Sequence, residues 1–454
     1  MTSRVLAVDL GASSGRVVSI DFASPEPAAV VVHRWPNAPE TAPDGSLRWN
    51  WPMIVAEVEH GLAMALEDGP AASIGIDGWG VDYGLVDERG DLIAAPYSYR
   101  DRRTDGWRRV ADAIGVERLY EVSGIQLMGI NTIFQLAFHD RDELARARRL
   151  LLLPDLLVNR LTGFVGAERS NASTTGLLDA RTGDWSPELL EGIALSEALL
   201  PEVATAGAAV GTWRDVPVHL VGSHDTASAF LGMPGGGEAG TVFVSTGTWV
   251  IVGIERPEPD TSPAARARNF SNEGGAFGGV RFLKNVVGFW LLERCRSAWG
   301  DPPFEVLFDE ASAVEGDVPT FDARDGRFVS PDQMEAEIRS ATGLVADAPR
   351  GVLVRSIVES IAIGVAGVVE ELQSIGAPAP SRLAVTGGGA RVGILTEMLE
   401  RHTGLPVVVG STEATALGNA VAQGAALGVF PSLGSGRRWA GTARPMQEDK
   451  RGLS

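Results

Sequence analysis

A single cysteine, Cys295, stands in 454 residues, which excludes an intrachain disulfide and fits a reducing compartment. No apolar run approaches the roughly 20 residues that cross a bilayer. The N-terminus enters a strand-like pattern at Arg4–Leu10 with no charged-then-apolar leader, so a cytoplasmic, membrane-free protein is expected. Basic residues are scarce: 39 Lys and Arg against 58 Asp and Glu give a net charge of −19. Without a dense basic cluster, a nucleic-acid backbone is repelled, and an anionic ligand must be held locally by backbone N–H groups and a cation. The six histidines (His33, His60, His139, His219, His224, His402) show no paired ligand spacing, which argues against structural zinc. A G-x-x-x-x-G-K-[ST] loop is missing, and no G-x-G-x-x-G follows the first strand. A bound nucleotide would therefore be gripped by another device.

What is present is an ordinary globular composition, 44% hydrophobic and 21% charged, on a chain too long for one core. The expected division is 1–232, 238–430 and a loosely held polar tail, 431–454, with Gly232–Gly240 as the linker. Strand patterns at Val5–Asp9, Arg16–Asp21, Ala28–Arg34 and Ser73–Asp77 alternate with helical ones. Ile54, Val55, Val58, Leu62 and Leu66 recur at helical spacing within Trp51–Asp68. This is α/β alternation. Thr241–Ser245, a small polar turn at Thr246–Thr248 and Trp249–Ile254 repeat the plan of the opening hairpin, which suggests an internal duplication.

Three glycine-rich or small-residue turns are candidate nucleotide contacts. Ala12, Ser13, Ser14, Gly15 and Arg16 form an anion-binding concavity with a guanidinium fork, and Asp9 before it suits Mg²⁺ held through water. The same residues read equally as a hairpin with a capping aspartate. Thr246–Thr248 and Gly387–Gly389 are the other two. In Ser223-His224-Asp225-Thr226, the aspartate is placed either to accept a hydroxyl proton during phosphoryl transfer or to cap the following helix. Asp77-Gly78-Trp79-Gly80-Val81-Asp82 and Tyr99-Arg100-Asp101 offer planar hydrogen-bonding groups beside an aromatic, as polyol recognition requires, or else a tight turn with a packed tryptophan.

In their order along the chain, DLGASSGR, DGWGVDYGLVDERG, YRDRRTDG, GIQLMGINTIFQL, LLPDLL, HDTASA, STGTW, NEGG, LKNVVGFWLLE, GGG and EATALGN resemble the FGGY carbohydrate kinases from about residue 4 to 430. The resemblance implies an α/β protein of two ribonuclease H-like domains of the actin/hexokinase ATPase type, with ATP and sugar in an interdomain cleft. It implies transfer of the γ-phosphate to the 1-hydroxyl of L-rhamnulose, with L-fuculose, L-xylulose, ribulose or a polyol as alternative acceptors and a non-catalytic sugar-responsive regulator as the rival class. By position, Asp225 is the catalytic base, and Gly80, His224, Asp225 and Thr226 contact sugar. Ala12 to Arg16, Thr248, Asn285, Glu293 and Gly388 contact ATP, whose cofactor is Mg²⁺. Glu293 departs from the family's usual glutamine, Arg391-Val392-Gly393 replace a polar pair, and Thr246 replaces serine.

Overall fold

A computed structural model describes residues 3–328, 331, 333–443 and 447–448. The chain forms two compact units, one of 1–232, 255–282 and 413–454 and the other of 233–254 and 283–412.

The first unit is built on the strands Arg4–Leu10 (β1), Ser14–Asp21 (β2) and Ala28–Pro36 (β3), the helix Trp51–Glu67 (α1) and the strand Ser73–Gly78 (β4). Ala209–Trp213 (β5), Val216–His219 (β6) and the helix Asp225–Gly232 (α2) follow. The sheet order is β5-β6-β4-β1-β2-β3, and Gln447–Glu448 adds to β3. β1, β4 and β6 are parallel, while β1–β2 is a hairpin that pairs Asp9 with Arg16. α1 starts where the Asn50 side chain accepts from Met53 N at 3.1 Å, with a proline in its first turn. Its buried face carries Ile54, Val55, Val58 and Leu62, as the sequence spacing predicts. This face joins Leu6, Val8 and Ile74 in one core.

The second unit repeats the plan. Thr241–Thr246 (β7) and Trp249–Arg256 (β8) form an antiparallel hairpin, and Val280–Val287 (β9) lies beyond β8. The helix Arg350–Ser374 (α3) leads to Arg382–Gly387 (β10), which runs parallel to β7, and to Val407–Val409 (β11), parallel to β10. A hairpin whose first strand is parallel to a later one thus heads both sheets. α3 is long and apolar enough by length and composition to cross a membrane, contrary to the sequence reading, but most of that apolar stretch is buried inside the protein.

The chain then returns to the first unit as the helix Ala414–Ala426 (α4), which packs on α2. Gly418 faces the carbonyl of Ser228, and Gly232 that of Ala414, so closely that a Cβ at either glycine would overlap the oxygen. The stretch expected to be a loose tail is partly ordered: Leu433–Ala440 is a helix (α5) opened by a Ser432 capping box. Trp439 packs against Phe22 and Phe430, and Arg437 pairs with Glu255 through two contacts of 2.5 and 2.6 Å. Apolar contact and a two-pronged ion pair hold a segment whose composition reads as polar. The rest of that stretch, apart from 447–448, lies outside the described residues beyond 443.

Candidate active site

In an open parallel sheet, ligands bind beyond the carboxyl ends of the strands, where successive chain segments turn away in different directions. In the first unit β1 and β4 end together, with Asp9 opposite Asp77 and Leu10 opposite Gly78. Gly78 N donates to Ser223 O at 2.9 Å, and Trp79 N donates to Leu10 O at 3.1 Å, so the segments following β1, β4 and β6 meet there. Gly78 also forms a parallel bridge with His224. Three aspartates, Asp9, Asp77 and Asp225, are thereby brought into electrostatic range of one another.

Asp225 begins α2, and its side chain is 31% exposed. Its Oδ1 accepts from Thr226 Oγ1 at 3.0 Å and lies 3.5 Å from His224 Nε2. Burial pushes its pKa above the ordinary carboxylate value against the opposing pull of His224, and Asp9 pushes in the same direction as burial. Gly80 sits where a Cβ would come within 3.0 Å of Thr174 Oγ1 and 3.3 Å of His224 Nε2. Next to it Val81 holds φ +69°, a left-handed conformation that costs a β-branched residue on the order of 1–3 kcal/mol. Its carbonyl accepts from Thr132 Oγ1 at 2.7 Å and Gln135 Nε2 at 3.2 Å, which fixes that conformation. Gly80, His224, Asp225 and the Thr226 hydroxyl are therefore one cluster.

The turn at Ala12–Ser14 is tight: Gly11 N donates to Ser14 O at 3.0 Å, and Asn37 anchors it through Ser13 O and Gly11 O. Ser13 is exposed and Ala12 half-buried. Gly15 leaves room for the ring of Trp35, which a Cβ would overlap. Arg16 differs from the free phosphate fork the sequence suggests. Its Nε donates to Asp9 Oδ2 at 2.9 Å, its Nη2 meets the same oxygen, and its Nη1 meets Glu413. Asp9 and Arg16 are cross-strand partners, so their side chains share one face, and α4 brings Glu413 against them. Asp77 is fully buried; its Oδ2 accepts from Asn419 at 2.6 Å while its Oδ1 has no hydrogen-bond partner among the described residues. Burial pushes the Asp77 pKa well above the ordinary carboxylate value, with Asp9 and Asp225 pushing the same way. No group of three or more His, Cys, Asp or Glu that could hold a metal ion occurs among the described residues, so a hard cation such as Mg²⁺ would rest on Asp9 through water.

Of the two readings of Trp79, a polyol platform or a packed tryptophan in a tight turn, the structure shows the packed tryptophan. The Trp79 indole is buried against Trp49 with ring centroids 4.5 Å apart, and both indole N–H groups donate to Asp82 Oδ2. Asp82 also accepts from Tyr99 N and Gln135 Nε2, and burial raises its pKa to about 6. Asp101 accepts from Leu47 N and Arg103 N, so it too fastens backbone, while Arg100 donates to the Tyr99 hydroxyl at 3.1 Å. Glu168, which no motif marked, holds the segment that leads into Asp225: its Oε2 accepts from Ser223 N, Ser223 Oγ, Ser170 N and Ser170 Oγ. It lies 55 residues from Ser223, and no spacing in the sequence connects them.

In the second unit the remaining candidates gather around the β7–β8 turn. Gly288 N and Trp290 N each donate to Thr248 O at 3.2 Å, just beyond Asn285 on β9. A Cβ on Gly389 would strike Phe289 and Thr246, whereas Gly388 faces open space. Thr246 donates to Thr386 O at 2.5 Å, so threonine serves there in place of serine. Arg391, another departure, donates to Thr412 Oγ1 at 3.0 Å. Glu293 is paired one helical turn away with Arg296, at 2.9 Å from its Nη2. That cation offsets the charge of the Glu293 carboxylate. Glu293→Gln is accordingly expected to leave the KM for ATP within about twofold, because an exposed pair of this kind contributes roughly 0–1 kcal/mol. Initial-rate kinetics with varied ATP checks this, and a larger rise would give the carboxylate a direct part in nucleotide binding.

Comparison with known proteins completes the picture. Residues 4–232 match the N-terminal domain of the FGGY family of carbohydrate kinases, and residues 242–427 match its C-terminal domain. The chain is 34% identical to a rhamnulokinase of Bacteroides thetaiotaomicron over 98% of this chain and 96% of that one. It is 36% identical to a rhamnulokinase of Pectobacterium atrosepticum over 95% and 90%. Among solved structures, a gluconate kinase and a ligand-bound xylulose kinase, both from Lactobacillus acidophilus, superpose with a TM-score of 0.82 at 15% identity. The gluconate kinase match covers 100% of this chain and 95% of that one, and the xylulose kinase match covers 99% and 94%.

Proposed function

The chain belongs to the FGGY family of carbohydrate kinases, and from that premise we propose that it transfers the γ-phosphoryl group of ATP to the 1-hydroxyl of L-rhamnulose, with Asp225 as general base. The observation that carries the reading is the partly exposed Asp225 carboxylate beside His224 and Gly80, in a chain whose full-length relatives at 34–36% identity are rhamnulokinases. A cytoplasmic location fits a reaction that consumes ATP.

In this reaction the sugar lies against Gly80, where any side chain would crowd Thr174 and His224, with His224 and Asp225 facing it. Asp225 accepts the proton of the 1-hydroxyl as that oxygen bonds to the γ-phosphorus and the bond to the β,γ-bridging oxygen breaks, releasing ADP. The raised pKa of Asp225 strengthens it as a base, and the Thr226 hydroxyl fixes the carboxylate by donating to Oδ1. Ala12, Ser13, Ser14 and Gly15 approach the phosphates through their backbone and hydroxyls. Arg16 holds Asp9 in place and offsets the two carboxylates it touches. Thr248, Asn285 and Gly388 are the further nucleotide contacts. Mg²⁺, when bound, would offset charge on the transferred group, and Asp9 would hold it through water.

The test is ADP release across L-rhamnulose, L-fuculose, L-ribulose and D-xylulose at matched concentration. L-rhamnulose is expected to give the highest kcat/KM. A higher value for another ketose would move the acceptor assignment, and sugar-independent ATP hydrolysis alone would remove the kinase reading.

A further inference from the structure

His224 faces Asp225 with Nε2, and its other ring nitrogen meets an arrangement that the proposed reaction does not use. Nδ1 lies 3.1 Å from Arg281 Nη2 and 3.4 Å from Glu273 Oε2, and these two charged groups are themselves 3.3 Å apart. Both are buried, Arg281 to 1% side-chain exposure. A buried ion pair of this kind is weak evidence for stability, because desolvating both charges offsets much of their attraction. Its placement against a single ring nitrogen at the base asks for another explanation.

The clamp is rigidly seated. Arg281 Nε donates to Gly274 O at 3.0 Å, and Ser271 Oγ donates to Glu273 Oε1 at 3.2 Å. The His224 backbone is fixed independently, its N donating to Ser170 Oγ at 3.2 Å. Glu273 remains ionised, since the guanidinium of Arg281 beside it holds its pKa below the ordinary value against the upward push of burial.

The chemistry of the two partners is opposed. A guanidinium has only donors, so Arg281 can meet Nδ1 only if that nitrogen carries a lone pair. A carboxylate has only acceptors, so Glu273 would favour a proton on Nδ1. The shorter contact belongs to Arg281. We propose that Arg281 is a positioning residue that keeps the neutral His224 ring in the Nε2–H tautomer, so that a donor points at Asp225 and the sugar, while Glu273 serves as the counter-ion that makes the buried guanidinium tolerable. The inference rests on the sugar-kinase reading for its consequence but not for its geometry. With the opposite tautomer, Nε2 would present a lone pair to the Asp225 carboxylate 3.5 Å away, and the two would repel.

The test uses the full-length protein with ¹⁵N-labelled histidine. Long-range ¹H–¹⁵N spectra, with the His224 signals assigned from a His224→Gln sample, are expected to show Nε2 protonated and Nδ1 bare near neutral pH. In Arg281→Met, which keeps the volume and removes the donor, the proton is expected to move to Nδ1 facing Glu273. The KM for the sugar should then rise about tenfold or more while the KM for ATP stays within twofold. Glu273→Gln should keep the wild-type tautomer. A wild-type spectrum with the proton on Nδ1 overturns the proposal, as does an Arg281→Met protein with unaltered tautomer and sugar KM. If Arg281→Met fails to fold, the wild-type spectrum alone decides. Because the spectra need no turnover, failure of the clamp is distinct from failure of the kinase reading, which the sugar panel reports.

Discussion

Replacing Asp225 by asparagine is expected to lower kcat by roughly 10²–10⁴, the usual contribution of a positioned general base, while the KM for ATP changes little. The amide keeps the size and the bond from Thr226 but cannot take a proton at neutral pH. The carboxylate is partly exposed, so its loss should not unfold the chain. Circular dichroism and thermal melting control for this, and stopped-time ADP assays measure the rate. Near-wild-type turnover in a folded Asp225→Asn protein would remove the residue from the proton transfer. The pH profile of the wild type carries the same signature. Only the ionised carboxylate acts as a base, so kcat/KM should rise with pH and level off, with its midpoint above the ordinary aspartate value because burial raises this pKa. A midpoint at or below that value would assign the acid limb to a different group.

The second large effect lies away from the chemistry. Gly418→Ala is expected to destabilise the protein by about 3 kcal/mol, the upper end of the usual overpacking cost, because the added methyl meets backbone rather than a movable side chain. The Ser228 carbonyl it strikes belongs to α2, whose first residue is Asp225. A shift of α2 to relieve the clash would displace Asp225, so turnover should fall together with the thermal midpoint. Denaturant titration and initial rates measure the two. A variant of wild-type stability and rate would show that the α2–α4 crossing has slack. Gly388→Ala is the contrast for stability alone, since its Cβ would enter open space.

Much of this site was legible without coordinates. Apolar runs ending in aspartate or in small polar turns mark β1, β4, β7 and β10, and their order along the chain carries the family pattern. Asp225, His224 and Gly80 were marked by motif, and the structure brings them together. The surroundings were less readable. The fragment Asp77–Asp82 has the residue types of a sugar platform, yet two indoles converge on Asp82 and bury Trp79. Glu273 lay within a recognised motif, but its role depends on Arg281 and His224, one of them 49 residues away by number. Glu168 carried no signal at all.

The sequence by itself determined the elements and the residue types at the strand ends, because helix and strand periodicity, turn chemistry and the identity of a carboxylate are local properties. Only the tertiary structure decided how each charge is used. Arg16 is committed to Asp9 and Glu413, Asp77 to Asn419, and His224 to a buried ion pair, through partners up to about 400 residues apart in the chain. Burial makes an unpaired charge costly, so folding selects a partner by proximity in space, and that choice leaves no trace in sequence spacing.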